Sequence, residues 1–72
     1  MEQIEGKNPV REALNAKVRL SKVVLAKGSE RGLKEIASMA KAADIPVEWQ
    51  ERSWLDERSR TKAHQGVMAW RR

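Results

Sequence analysis

Seventy-two residues make one domain at most, and a chain this short buries only about 60% of the surface it exposes when unfolded, so its core must be compact. It is 40% apolar and 35% charged, with three tryptophans and no phenylalanine or tyrosine, which is enough hydrophobic material for a globule; the absence of cysteine and the single histidine exclude a disulfide framework, a thiolate metal site and a histidine-rich one. The net charge of +5 is unevenly placed: residues 7–31 hold seven basic and two acidic side chains, residues 51–72 hold six and three, and 32–50 come to −1, so a fold that joins the two outer segments builds a patch suited to phosphate.

The first five residues, Met1 to Glu5, are acidic and lack the basic-then-apolar pattern of a secretion signal. No apolar run approaches the roughly 20 residues that cross a bilayer, so the expectation is a cytoplasmic protein without membrane contact. Gln3-Ile4-Glu5-Gly6 predicts a short strand ending at a glycine. Asn8 then reads as a helix N-cap with Pro9 at the first helical position, and Val10, Ala13 and Leu14 form an apolar stripe on a helix that ends near Ala16. The continuous apolar run Val23-Val24-Leu25-Ala26 predicts a central strand covered on both faces, and Lys27-Gly28-Ser29 the turn after it. Ser29 is the expected cap of a second helix whose stripe is Leu33, Ile36, Ala37, Ala40 and Ala43, stopped by Asp44-Ile45-Pro46.

Val47-Glu48-Trp49-Gln50 alternates apolar and polar, as a half-buried strand nearer an edge does. Ser53-Trp54-Leu55-Asp56 has the spacing of a capping box, which predicts a short helix from Trp54 to about Ser59. Arg58 to Lys62 has no periodicity and reads as an exposed basic loop leading to His64, and Val67 to Trp70 as a last strand buried on both faces. Alternation of this kind predicts an α/β sandwich with a four-stranded, mostly parallel or mixed sheet and three helices. The chain stops at Arg71-Arg72 directly after the last strand, which suggests that residues 1–72 are one domain of a larger protein.

Two separated stretches carry a resemblance: Gly6-Lys7-Asn8-Pro9-Val10-Arg11-Glu12-Ala13-Leu14 near one end, and Leu55-Asp56 followed by His64-Gln65-Gly66-Val67-Met68-Ala69 at the other. With these, essentially the whole chain resembles the N-terminal substrate-binding domain of the SpoU/TrmH-type RNA ribose 2′-O-methyltransferases, a group that includes a bacterial ribosomal guanosine methyltransferase. The resemblance implies an α/β/α sandwich like that of the kink-turn-binding ribosomal proteins, which use a similar Gly-x-Asn turn on RNA; here Pro9 stands where an acidic residue is expected. It also implies that the partner is structured RNA, probed on behalf of the protein's own C-terminal methyltransferase domain. S-adenosylmethionine and the catalytic residues belong to that domain, so this chain holds no cofactor and is not itself an enzyme. In isolation the domain is expected to be a monomer.

The candidate RNA-binding residues are Lys7, Asn8, Arg11, Arg58, Arg60, Lys62, His64 and Gln65. Lys7 and Asn8 sit at a helix N-terminus, where free amides and the helix dipole favour an anion, and Arg11 lies one turn further on. Arg58, Arg60 and Lys62 form a basic loop of the kind that binds RNA through counterion release, and Lys27 and Arg31 flank a turn that extends the same charge. His64 and Gln65 each donate and accept hydrogen bonds, which suits a base edge, a 2′-hydroxyl or a neighbouring backbone group equally. Trp54 beside the basic loop is the one indole to consider for stacking on a base, although packing around Leu55 is the expected role even there, and Trp49 and Trp70 read as core. No serine or carboxylate is spaced to make a catalytic relay with His64. The competing class is a protein-interaction module that docks on the catalytic domain or on a ribosomal protein.

Overall fold

The apolar run at Val23 forms the middle of a sheet because its side chains alternate between two covered faces. A computed structural model describes residues 2–72, so Met1, included in the expected domain, lies outside the described residues. The order is β1 (Gln3–Glu5), α1 (Lys7–Asn15), β2 (Leu20–Ala26), α2 (Glu30–Ala42), β3 (Val47–Gln50), α3 (Arg52–Arg58) and β4 (Val67–Arg71). The four strands lie in the order β1-β4-β2-β3. Only β2 and β3 are parallel; β4 runs antiparallel to both β1 and β2, so the sheet is mixed, with β3 at an edge as expected.

Val23 and Leu25 on β2, with Val67 and Ala69 on β4, point to one face. There they meet Val10, Ala13 and Leu14 of α1 and Leu33, Ile36, Ala37 and Ala40 of α2. Val24, Ala26 and Met68 point to the other face, where Leu55 of α3 covers them. The result is the three-layered α/β/α arrangement, with the last strand of the sequence inserted between the first two. Trp49 packs half-buried against the larger core; Trp70 packs against the smaller one and meets Trp54 edge to face, ring centroids 6.0 Å apart.

Both long helices end in the same way. The amide of Val18 bonds the Ala13 carbonyl and that of Lys17 the Leu14 carbonyl; Ile45 and Asp44 repeat the pair on Ala40 and Lys41. These are Schellman closures, with Lys17 (φ 58°) and Asp44 (φ 62°) in the left-handed position where glycine is the usual occupant. Val18 and Ile45 then fold back as partly buried apolar side chains against the core.

Three local expectations are corrected. Asn8 is not the cap of α1: Gly6, at φ 100°, turns the chain one residue earlier, the helix starts at Lys7, and the Lys7 amide donates to Gln65 Oε1 at 2.8 Å. A side chain from the far end of the sequence thus does the capping. Nor does Ser53-Trp54-Leu55-Asp56 form a capping box. The helix α3 begins at Arg52 without a side-chain cap, so Ser53 lies inside it, and the Asp56 carboxylate turns to His64. Ser29 does stand at the N-cap of α2, but its hydroxyl makes no capping bond; the Glu30 carboxylate takes the Gly28 amide at 3.1 Å.

Candidate nucleic-acid interface

The parallel strands β2 and β3 deliver the chain to one end of the sheet, and α1, α2 and α3 all begin there. Backbone hydrogen bonds lock the crossing points: Gly6 to Val67, Ala26 to Gly66 and Lys27 to Gln50. Gly66 has φ 81°, a conformation that strains any side chain, and a Cβ on it would lie in van der Waals contact with the Ala26 Cβ at 3.4 Å and Arg52 Nη1 at 3.5 Å. Over the junction lies a cleft of about 470 Å³ lined by Lys7, Ser29, Arg31, Leu33, Arg52 and Gln65, with Gly28 and Gly32 in its wall. Lys7 reaches across from α1 to α2, where its Nζ lies 3.5 Å from the place a Gly32 Cβ would take.

Three cations therefore line the cleft and no carboxylate does. Each stands in the first turn of a helix, the end where the helix dipole already places positive potential. That placement opposes helix stability, which favours acidic residues there, and suits an incoming anion. The acids nearby are engaged: Glu51 pairs with Lys27 at 3.6 Å, and Glu30 is held below the usual carboxylate range by its own amide and that of Gly28.

Beside the cleft the segment 59–65 is built around one carboxylate. Glu5 Oε1 accepts from Ser59 Oγ at 2.6 Å and Thr61 Oγ1 at 2.9 Å, and Oε2 accepts from the Arg60 amide at 2.8 Å and Gln3 Nε2 at 3.0 Å. Ser59 Oγ in turn accepts from the Lys62 amide. Partial burial pushes the Glu5 carboxyl upward, but the four donors outweigh it and hold the pKa at about 2. The segment expected to be a loose basic loop is thus pinned to β1.

His64 is 4% exposed. Its Nε2 lies 2.6 Å from Asp56 Oδ1, and its Nδ1 accepts the Gly66 amide at 2.8 Å. The second bond requires an unprotonated Nδ1, so the neutral ring donates from Nε2 to Asp56, and both nitrogens are used within the protein. Gln65 caps α1 and also faces the cleft.

Among the other sequence candidates, Asn8 is exposed on the first turn of α1 with Oδ1 3.4 Å from Arg11 Nη1. Arg11 is drawn to α2, pairing with Glu35 at 2.9 Å rather than facing the cleft. Arg58 lies over Trp54, its Cζ 3.9 Å from the ring centroid, and Lys62 Nζ donates to the Asp56 carbonyl at 3.1 Å. Arg60 is exposed, its amide held by Glu5. The cleft adds Arg52, which a reading of Ser53 as a cap left outside the helix, and it promotes Arg31. One signal was available in the sequence: each strand-to-helix junction, at Lys7, Arg31 and Arg52, puts a cation where capping chemistry favours an acid.

Among the described residues, no cluster of three or more potential metal ligands occurs, and no helix is long and apolar enough to cross a membrane. A family model described as RNA 2′-O ribose methyltransferase substrate binding matches residues 3–70. A search of curated proteins gives no match.

Proposed function

The chain belongs to the substrate-binding family of the RNA 2′-O-ribose methyltransferases, and we propose that it grips structured RNA at the end of the sheet where Lys7, Arg31 and Arg52 converge. Membership supports an RNA-binding module, and in this reading the chain itself carries no catalysis. The observation that supports this location is the cleft itself, with three cations from three separate helices, no lining acid, and a glycine where Lys7 crosses α2. Two or three backbone phosphates bind Lys7, Arg31 and Arg52. Asn8 and Gln65, at the rim, offer donors and acceptors to a 2′-hydroxyl or base edge. Arg60 and Lys62 extend the contact along the pinned segment, and Arg58 does so beside Trp54. His64 acts from beneath by holding Gly66 and Asp56, and Arg11 adds charge at a distance.

In this reading the RNA is ribosomal, as for the guanosine methyltransferases of the group, and the chain works in the cytoplasm as a monomeric module tethered to its own C-terminal methyltransferase domain. In this reading S-adenosylmethionine belongs to that separate domain, and methyl transfer is assigned to it. Titration of the 72-residue chain with a ribosomal RNA hairpin at low and high salt tests the proposal. Binding that weakens steeply with salt is expected, and no binding at low salt would overturn it. The protein-docking reading is favoured by a different feature, at the opposite end of the sheet.

A further inference from the structure

The opposite end of the sheet, where α1 and α2 finish, carries a second and larger opening of about 650 Å³. Its floor is aliphatic: Leu14 and Leu20 from the core, with Val18, Met39 and Ile45 partly exposed. Lys17, Arg19 and Arg72 stand on its rim against a single acid, Asp44. The two Schellman closures shape it, since each turns the chain sharply away from its helix and drops Val18 or Ile45 into the floor.

We propose that this groove is a docking site for an acidic, amphipathic protein segment, which places leucine- or methionine-type anchors on the floor and carboxylates against Lys17, Arg19 and Arg72. The charge is complementary and the anchoring surface is the kind that takes a helix by its apolar face. RNA suits it less well. The floor offers no aromatic face on which a base could stack and no donor to a base edge. Because the RNA cleft lies at the other end of the sheet, the two partners bind together, and the inference does not depend on the RNA reading.

The test uses a synthetic peptide of leucine and glutamate patterned as an amphipathic helix, a scrambled peptide of equal composition, a lysine-for-glutamate counterpart, and an RNA hairpin. Binding is followed by backbone NMR of the 72-residue chain. The acidic amphipathic peptide is expected to shift Leu14, Val18, Met39 and Ile45 and to leave Lys7, Arg31 and Arg52 unchanged. The scrambled and basic peptides should do neither. In Lys17→Gly/Arg19→Glu the acidic peptide should bind at least about tenfold more weakly; the glycine relieves a left-handed lysine, so loss of fold does not confuse the result, and unchanged tryptophan near-ultraviolet dichroism checks it. No binding, equal binding by the scrambled peptide, shifts centred on the cleft, or the RNA hairpin occupying the groove would each overturn the inference.

Discussion

Replacing Glu5 by glutamine separates two roles that an acidic residue beside an RNA site can have. The carboxylate accepts from Ser59, Thr61, Gln3 and the Arg60 amide, which holds its pKa at about 2 instead of the ordinary 4.5. Converted directly, that shift sets an upper bound of about 3 kcal/mol on what ionised Glu5 contributes to stability. Its donors lie close to solvent and glutamine keeps one carbonyl acceptor, so the expected loss at neutral pH is about 1–2 kcal/mol. The sign follows from a folded pKa below the unfolded one. The contribution is full above about pH 4.5 and disappears as the pH falls toward 2, so wild type and Glu5→Gln should converge in stability across that window. Urea unfolding followed by tryptophan fluorescence, at intervals from pH 7 to 2, measures it. A difference that stays constant with pH, or no difference at neutrality, would refute the account of Glu5 as the ionised anchor of residues 59–62. RNA binding adds a second check of opposite sign. Removing a negative charge tightens binding if only the field matters, whereas it weakens binding, in the folded protein, if Glu5 presents Arg60 and Lys62 in a fixed geometry.

Other outcomes follow from single contacts. His64→Ala leaves the Gly66 amide without its acceptor and should cost about 2 kcal/mol in urea unfolding, with little change in the RNA affinity of the folded fraction; a large affinity loss at unchanged stability would make the ring a direct contact. Gly66→Ala, at φ 81° and against the Ala26 Cβ, should lose about 1–2 kcal/mol by the same assay. Lys17→Gly should gain about 0.5–1 kcal/mol, raising Tm by several degrees, while Lys17→Ala gains nothing because alanine meets the same left-handed strain.

Much of the architecture could be read from the sequence because it rests on local periodicity. The unbroken Val23–Ala26 run, the Leu33–Ala40 stripe and the alternation around Trp49 each announce their element without reference to the rest of the chain. What the sequence hid depends on long-range partners. Asn8 looks like a cap by every local rule, yet Gln65 takes the position because β4 lands beside β1 and brings its leading loop to the α1 N-terminus. The Ser53–Asp56 spacing also misleads: α3 begins at Arg52, so Ser53 lies inside it, and Asp56 meets a buried histidine. The segment 58–62 has no periodicity, and only the fold reveals that Glu5 organises it. At the site, Lys7 and Gln65 were legible as candidates, whereas Arg52 became visible only when three strand-to-helix junctions proved to share one end of the sheet.

The convergence of those three cations carries the functional account, so the most direct measurement compares wild type with Lys7→Ala/Arg31→Ala/Arg52→Ala for binding a ribosomal RNA hairpin as salt is varied. If the cleft holds phosphates, the slope of log affinity against log salt should become shallower by about 2 to 3, at roughly 0.7–0.9 per lost contact. The variant should unfold no more easily than wild type, because cations at helix N-termini oppose the dipole. An unchanged slope in a folded triple variant would contradict the account and move RNA binding away from the cleft.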